Sequence, residues 1–146
     1  MSHDLKRIAR RTFEDIFPAC DVVGLAEVTD PEVVAHGRRR DEPAGLEGVT
    51  RTMLWLAQVF SDQRWEVHQV IREDDVVVLR ATHHGRQTGY LMGIPPTGRT
   101  VAYDYVHILR FRDGKAIEHW GFRDDATLMR QLGATPDRPT PSIASV

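Results

Sequence analysis

The sequence predicts an α+β fold in which helices come first and an antiparallel β-sheet follows. Apolar residues recur at helical spacing in about the first sixty residues, and after Asp62 the period changes to about two. Helices followed by a run of strands are typical of a sheet covered by helices on one face. With 146 residues, 41% of them hydrophobic, the chain can bury one continuous core. We therefore expect one domain over residues 1–133.

The helical part contains three patterns. The first helix is predicted from about residue 4 to 17 and is expected to stop near Pro18, because proline interrupts a helix. A short second helix is predicted over Asp21 to Glu27, and 33–36 is expected to be extended. The third helix is predicted over about 47–60, where one apolar face is formed by Val49, Met53, Leu56, Ala57 and Phe60.

The second half of the chain is predicted to form the sheet and a last helix. The strand runs are 64–72, 76–84, 87–92, 99–112 and 115–123. Asp124 then begins a helical segment. The proline-rich tail, 134–146, shows no apolar period, which predicts a strap or a disordered end.

Composition and missing motifs exclude several functions. The formal net charge is −2 and the one basic run, 38–40, is followed by two acidic residues, so we expect no nucleic-acid partner. Cys20 is the only cysteine, and no Cys/His spacing is typical of a zinc site, so we expect no metal. No apolar run approaches membrane-spanning length, which predicts a cytoplasmic protein with no membrane partner. Nucleotide-binding glycine loops and the serine hydrolase elbow are absent as well.

The most informative feature is the predicted hairpin around 111–115. A three-residue loop with Gly114 in the left-handed conformation is favoured there. It would pair His107 with His119 and Tyr105 with Gly121. Two imidazoles would then lie side by side, with a gap beneath a tyrosine.

A two-residue loop at Asp113-Gly114 is the alternative. It would place His107 against Trp120 and Tyr105 against Phe122, because a slip of one residue turns every side chain to the other face. In both registers His107 shares a face with other apolar and aromatic residues, namely Tyr103, Tyr105 and Leu109.

Three further polar residues have two interpretations each. Asp124 is predicted to cap the last helix, and the alternative is a carboxylate base turned into a cavity beneath the sheet. Arg80 holds an anionic oxygen if it faces inward, or forms a salt bridge on the outer face. His36 either reaches the cavity or is a structural histidine.

Four segments together resemble the SnoaL-like polyketide cyclases. They are Gly45-x-x-Gly48-Val49, the stretch 88–99 around Gly93-Ile94-Pro95-Pro96, the hairpin 112–121 with its Glu118-His119-Trp120, and 128–133. The resemblance covers about residues 4–133. It implies the fold of the nuclear transport factor 2-like superfamily, a cone-shaped barrel in which N-terminal helices pack on a curved, mixed, mostly antiparallel sheet.

The resemblance also implies an activity, the intramolecular aldol condensation of a polyketide-derived ester without a cofactor. Asp124 matches the family's acid/base, His107 matches its assisting histidine, and His119 is a possible third polar group. An isomerase, an epoxide hydrolase or a small-molecule binding domain without turnover are the alternatives, because this superfamily places several functions in one cavity.

The remaining expectations concern the substrate and the partner. A small hydrophobic or aromatic substrate is expected in a cavity whose candidate lining residues are Phe13, Phe17, His36, Trp55, Met92, Tyr105 and Trp120. We expect a homodimer, because the outer face of the sheet would expose apolar groups such as Val106 and Ile108.

Overall fold

The protein, seen here in a computed structural model, is described over residues 3–134. The described part includes all predicted helices and leaves 135–146, most of the predicted proline-rich tail, outside. The helices are α1 (Leu5–Arg11), a π-helical segment (Thr12–Ile16), α2 (Phe17–Ala19), α3 (Val22–Val28), α4 (Gly45–Val59) and α5 (Asp125–Gln131). The strands are β1 (Thr29–Ala35), β2 (Phe60–Glu73), β3 (Val76–Gln87), β4 (Thr100–Arg112) and β5 (Lys115–Arg123).

Local sequence explains where the first helices begin and end. The Asp4 carboxylate accepts a hydrogen bond from the backbone N–H of Arg7 at 3.1 Å, and Asp21 does the same for Gly24 at 2.9 Å. The helical run that starts at Leu5 ends where Cys20 adopts φ 51°. This end lies two residues after Pro18, as the sequence predicts.

The α+β prediction is confirmed, and the sheet is mixed and open. Its strand order is β1-β5-β4-β3-β2, with β1 parallel to β5 and all other neighbours antiparallel. Among residues 3–134, no helix has both the length and the apolarity needed to cross a bilayer.

The strand predicted over 87–92 is wrong, because the buried side chain of Gln87 closes this segment into a loop. Its Nε2 donates to the carbonyls of Gly89 and Ile94, both at 3.1 Å, and its Oε1 accepts from Thr97. Gln87 pairs with Phe60 as the last residue of β3, and beyond it an isolated bridge joins Leu91 and Ile94.

The hairpin register differs from both predicted registers. Asp113 and Gly114 have φ of 52° and 77°, so the loop is the two-residue type with two left-handed residues. Further along, a bulge shifts the pairing from Phe111↔Ala116 to Arg110↔Glu118. His107 therefore pairs with Gly121, and the bulge returns His119 to the face that His107 occupies.

The two faces of the sheet have different environments. The inner face carries the buried residues of β3 and β4 and is covered by the N-terminal helices. Its residues on these two strands include Val77, Leu79, Ala81, His83, Val101, Tyr103, Tyr105, His107, Leu109 and Phe111. The outer face carries Phe122, which is 61% exposed. The homodimer expected through that face stays a prediction.

Candidate functional site

His107 lies at the centre of the inner face, in an aromatic cage. The Phe13 ring of the π-helical segment stacks on the imidazole at 3.8 Å between centroids, and Tyr105 stacks on it at 4.2 Å. Trp65 approaches it edge-on at 5.0 Å. These contacts leave His107 buried, with 4% of its surface exposed.

The two nitrogens of His107 have different surroundings. Nδ1 lies 2.9 Å from Nε2 of His119, so the two imidazoles are joined by a hydrogen bond. Nε2 of His107 is buried and has no hydrogen-bond partner. Nε1 of Trp65 is buried and unpartnered in the same way. Two unsatisfied polar atoms therefore belong to one aromatic cluster, a rare condition in folded proteins.

A second buried histidine, His83, lies on the neighbouring strand. Its Nδ1 is 2.6 Å from the Tyr103 hydroxyl, and its Nε2 is 2.9 Å from Oε1 of Gln63. Since the Gln63 oxygen only accepts, Nε2 of His83 donates to it and Nδ1 accepts from Tyr103. Trp65 stacks on the His83 ring at 4.2 Å, which connects this chain of hydrogen bonds to the cage around His107.

The sequence analysis did not single out His83 as a site residue. The available signal was the alternation along β3, where Val77, Leu79 and Ala81 share a face with His83 and are buried. Arg80 lies on the other face and is exposed, so it has no place among the inner-face residues.

Burial keeps the three inner imidazoles neutral at pH 7. Desolvation lowers the pKa of His83 to about 3 and that of His119 to about 4. The pKa of His107 falls well below its ordinary value, first through desolvation and then through the neighbouring His119 and His83. All three rings are therefore available at pH 7 as hydrogen-bond donors and acceptors without a net charge.

The gap expected at Gly121 is present. A Cβ on Gly121 would lie 3.0 Å from the hydroxyl and a ring carbon of Tyr105 and 3.1 Å from Cε1 of His119. Glycine thus lets the Tyr105 ring lie across β5 next to His119. One step further along, Arg123 pairs with Tyr105 in the sheet, and its Nε donates to Asp125.

Of the two interpretations of Asp124, the structure shows the helix cap, because Asp124 is the N-cap residue of α5. Its Oδ1 accepts from the backbone N–H of Thr127 at 3.1 Å and its Oδ2 accepts from the Thr127 hydroxyl at 2.6 Å. The carboxylate is exposed, and the hydrogen bonds from Thr127 lower its pKa. The expectation of an inward base with a raised pKa is corrected here, because the helix end supplies donors that hold the carboxylate at the surface.

The predicted lining residues separate into two groups. The role as lining residues stays a prediction for Phe13, Phe17 and Tyr105, which lie in or against the buried core. His36 and Trp120 do not lie in this core, because they stack on each other at 4.5 Å on the outer face, where His36 bonds Glu118 at 2.8 Å.

Trp55 and Met92 are corrected as well. Trp55 is 41% exposed, because it lies off the apolar face of α4, and Met92 is 46% exposed in the loop that Gln87 closes.

Carboxylates are missing from the buried interior. Within residues 3–134 the buried polar side chains are Thr12, Thr29, His83, Gln87 and His107. In the same range, no group of three or more His, Cys, Asp or Glu residues is placed to hold a metal ion. Two surface clefts lie at the far end of the sheet around Asp74 and Asp75, whereas the space next to His107 is filled by Phe13. Histidines and the Tyr103 hydroxyl are thus the buried acid/base groups of the described inner face.

Comparison with known proteins agrees with this architecture. TsrD of Streptomyces laurentii superimposes with a TM-score of 0.84 at 26% identity, over 92% of this chain and 99% of that protein. IdmH of Streptomyces antibioticus superimposes with a TM-score of 0.78 at 27% identity, over 90% of this chain and 99% of that protein.

Curated relatives and the family match give the same result. An aklanonic acid methyl ester cyclase of Streptomyces sp. (strain C5) is 32% identical over 124 residues, 80% of this chain and 74% of that protein. The nogalonic acid methyl ester cyclase of Streptomyces nogalater is 30% identical over 105 residues, 71% of this chain and 75% of that protein. The model of the SnoaL-like polyketide cyclase family matches residues 7–132 of this chain. The chain therefore belongs to the SnoaL-like polyketide cyclase family.

Proposed function

We propose that this protein is a cofactor-independent cyclase that closes a ring in a polyketide-derived ester by an intramolecular aldol reaction, with His107 as acid and base. Family membership and two relatives named as cyclases of methyl esters support the reaction class. The assignment of His107 rests on one observation, its unpartnered Nε2, which is buried within the aromatic cage. An unsatisfied buried polar atom costs about 1–3 kcal/mol, and a reacting substrate would give it a partner.

The His107–His119 pair can move a proton in both directions. In the first step, Nε2 of His107 takes the proton from the carbon between two carbonyl groups, and the Nδ1 proton passes to Nε2 of His119 across the 2.9 Å contact. The enolate carbon then attacks the ketone carbon, the new C–C bond forms, and the ketone π electrons move to oxygen. His107 protonates this oxygen from Nε2 and recovers its Nδ1 proton from His119, so the pair returns to its starting state.

The substrate needs space that Phe13 now fills. Phe13 lies on a π-helical segment, an irregularity that often occurs at functional sites. We propose that the substrate displaces the Phe13 ring and takes its place against His107. A flat aromatic ring system matches the 3.8 Å stacking distance that Phe13 itself occupies.

The test compares His107 with Asp124, the residue that the family resemblance favours. His107→Gln is expected to lower kcat at least about 100-fold, because it removes general acid–base catalysis. Asp124→Asn is expected to keep kcat within a few-fold of the parent, since asparagine caps a helix as well as aspartate does. Turnover of an aromatic polyketide methyl ester would be followed by chromatography, with a ring-closed product of unchanged mass as the readout.

Thermal unfolding of each variant is the control for folding. The opposite pattern, with loss of turnover in Asp124→Asn and retention in His107→Gln, would assign the chemistry to Asp124 and remove His107 from the mechanism. If His107→Gln does not fold, His119→Gln replaces it. The relay then predicts at least about a tenfold loss of kcat, because the proton of Nδ1 has no base to receive it.

One alternative function has a specific observation in its favour. A binding domain without turnover needs no inward carboxylate, and Asp124 is held at the surface by Thr127. Binding of the ester with no ring-closed product from the parent protein would establish this function in place of catalysis. The epoxide hydrolase alternative has less support, because hydrolysis uses a carboxylate to hold water and the described interior buries none.

A further inference from the structure

Trp65 is the second residue of the cage with an unsatisfied polar atom. The side chain is 5% exposed, and its Nε1 is buried without a hydrogen-bond partner. An indole N–H only donates, so this atom needs an acceptor. Buried indole N–H groups usually have one. The interior thus holds a donor for which residues 3–134 supply no acceptor.

The indole is held in this orientation from several sides. His83 stacks on it at 4.2 Å, Tyr105 meets it edge-on at 5.4 Å, and Phe13 contacts it at 5.5 Å. His83 is itself fixed by hydrogen bonds to Gln63 and Tyr103. The Nε1 atom therefore cannot turn towards another acceptor without breaking the packing of the cage.

The donor lies beside the proposed base. The ring centroids of Trp65 and His107 are 5.0 Å apart, and each ring carries one of the two unsatisfied atoms. Removal of a proton next to a carbonyl group places negative charge on the carbonyl oxygen. A fixed donor in a water-free site stabilises such a charge.

We propose that Nε1–H of Trp65 donates a hydrogen bond to a carbonyl oxygen of the bound ligand, and that His83 is the positioning residue that holds the indole for this contact. This inference rests on the proposed function, because it places the ligand in the cage around His107. It specifies the ligand as a flat aromatic molecule with a carbonyl group on or next to the ring.

The experiment measures binding with two probes that differ in their acceptors. Anthraquinone carries two ring carbonyls, and anthracene has the same flat shape with none. Trp65→Phe keeps an aromatic ring and removes the N–H. We expect equilibrium dialysis to show about tenfold weaker anthraquinone binding by Trp65→Phe, the size of one good hydrogen bond, and anthracene binding within about twofold of the parent.

Three outcomes of the dialysis contradict the inference. Equal weakening for both probes would mean that Trp65 acts through packing alone. Unchanged anthraquinone binding would mean that Nε1 contacts no carbonyl. If the parent protein binds neither probe, or binds both equally well, the predicted preference for a ligand with a carbonyl group is wrong.

A measurement on the parent protein covers the case in which Trp65→Phe fails to fold. The chain has three tryptophans, so ¹⁵N-labelled indole resonances are assigned with Trp55→Phe and Trp120→Phe, which lie outside the cage. Anthraquinone is expected to move the Trp65 indole proton downfield, and anthracene is not. An unmoved Trp65 resonance with anthraquinone bound would overturn the inference.

The experiments distinguish failure of the Trp65 hydrogen bond from failure of the proposed cyclase function. If binding depends on the carbonyl and on Trp65 but no assay shows ring closure, the hydrogen bond from Trp65 is supported and the protein binds its ligand without turnover. If ring closure depends on His107 and Trp65→Phe changes neither kcat nor KM, the cyclase function is supported and the hydrogen bond from Trp65 is contradicted.

Discussion

The two faces of the sheet give the same residue type different hydrogen-bond partners and different burial. On the inner face, His83, His107 and His119 bond one another or neutral groups, and burial lowers their pKa. On the outer face, His36 bonds Glu118 at 2.8 Å and His84 bonds Glu66 at 2.9 Å. The difference shows that burial, and not residue type, lowers the pKa of the inner imidazoles.

The hydrogen-bond partners of the histidines also differ between the inner and the outer face. A carboxylate beside an inner imidazole would stabilise its protonated form and raise its pKa, and the described interior contains no buried carboxylate. The outer histidines have carboxylate neighbours in water, where either protonation state is solvated. The inner imidazoles thus have neutral hydrogen-bond partners, whereas the outer imidazoles of His36 and His84 are paired with carboxylates.

The largest expected effect is the loss of stability in acid. The folded pKa values of His83 and His119, about 3 and about 4, lie below the 6.5 of an exposed imidazole, so the unfolded chain binds more protons between these values. Stability is therefore complete above about pH 6.5 and falls as the pH drops towards 4 and then 3. Each pKa unit is worth about 1.4 kcal/mol, so we expect a loss of several kcal/mol in urea unfolding between pH 7 and 4.

Matched variants test whether the inner face causes this loss. Replacing the outer histidines, His36, His68 and His84, with glutamine should leave the slope of stability against pH unchanged, whereas His83→Gln should reduce it. If the slope is reduced by replacing His36, His68 and His84 and not by His83→Gln, the inner face is not the cause of the loss of stability in acid.

A smaller effect is expected at Gly121, on the inner face. Gly121→Ala puts a methyl group 3.0 Å from Tyr105 and 3.1 Å from His119, so these rings must shift. Overpacking of this kind costs typically about 1–3 kcal/mol, measured here as the free energy of unfolding in urea. Gly37→Ala is the control, since a Cβ at Gly37 meets no atom within 4 Å. Equal stability of the two variants would mean that the inner face tolerates expansion.

Sequence reasoning predicts the architecture better than the site, because periodicity reports which face of an element is buried. It finds the helices around Phe13 and Met53, and it places His107 on the inner face in every register that it considers. The pairing itself could not be predicted, because a two-residue loop and a bulge beyond it act together. The sequence predicts a three-residue loop or a two-residue loop, whereas the structure combines the two-residue loop with a bulge, which puts Gly121 opposite His107.

The polar contacts of the site are tertiary, and this is why they escape sequence reasoning. Asp124 is the exception, because its partner Thr127 lies only three residues away and the cap is predicted from the local sequence. His83 becomes informative only beside Tyr103 and Gln63, which are twenty residues away from it on either side along the chain. Tail residues 135–146 lie outside the described part, so the strap or disordered end predicted there stays a prediction.

The smallest expected effect is on the outer face, at Glu118. This carboxylate bonds His36 at 2.8 Å and Arg110 at 3.2 Å, and its side chain is 28% exposed. Exposed ion pairs typically contribute about 0–1 kcal/mol, because water and salt screen them. Glu118→Gln should therefore change the urea unfolding free energy by less than about 1 kcal/mol, and the change should shrink in 1 M NaCl. A larger loss that persists in salt would mean that the outer face is covered in solution, as the predicted homodimer requires, and sedimentation of Glu118→Gln beside the parent would then show whether the assembly dissociates.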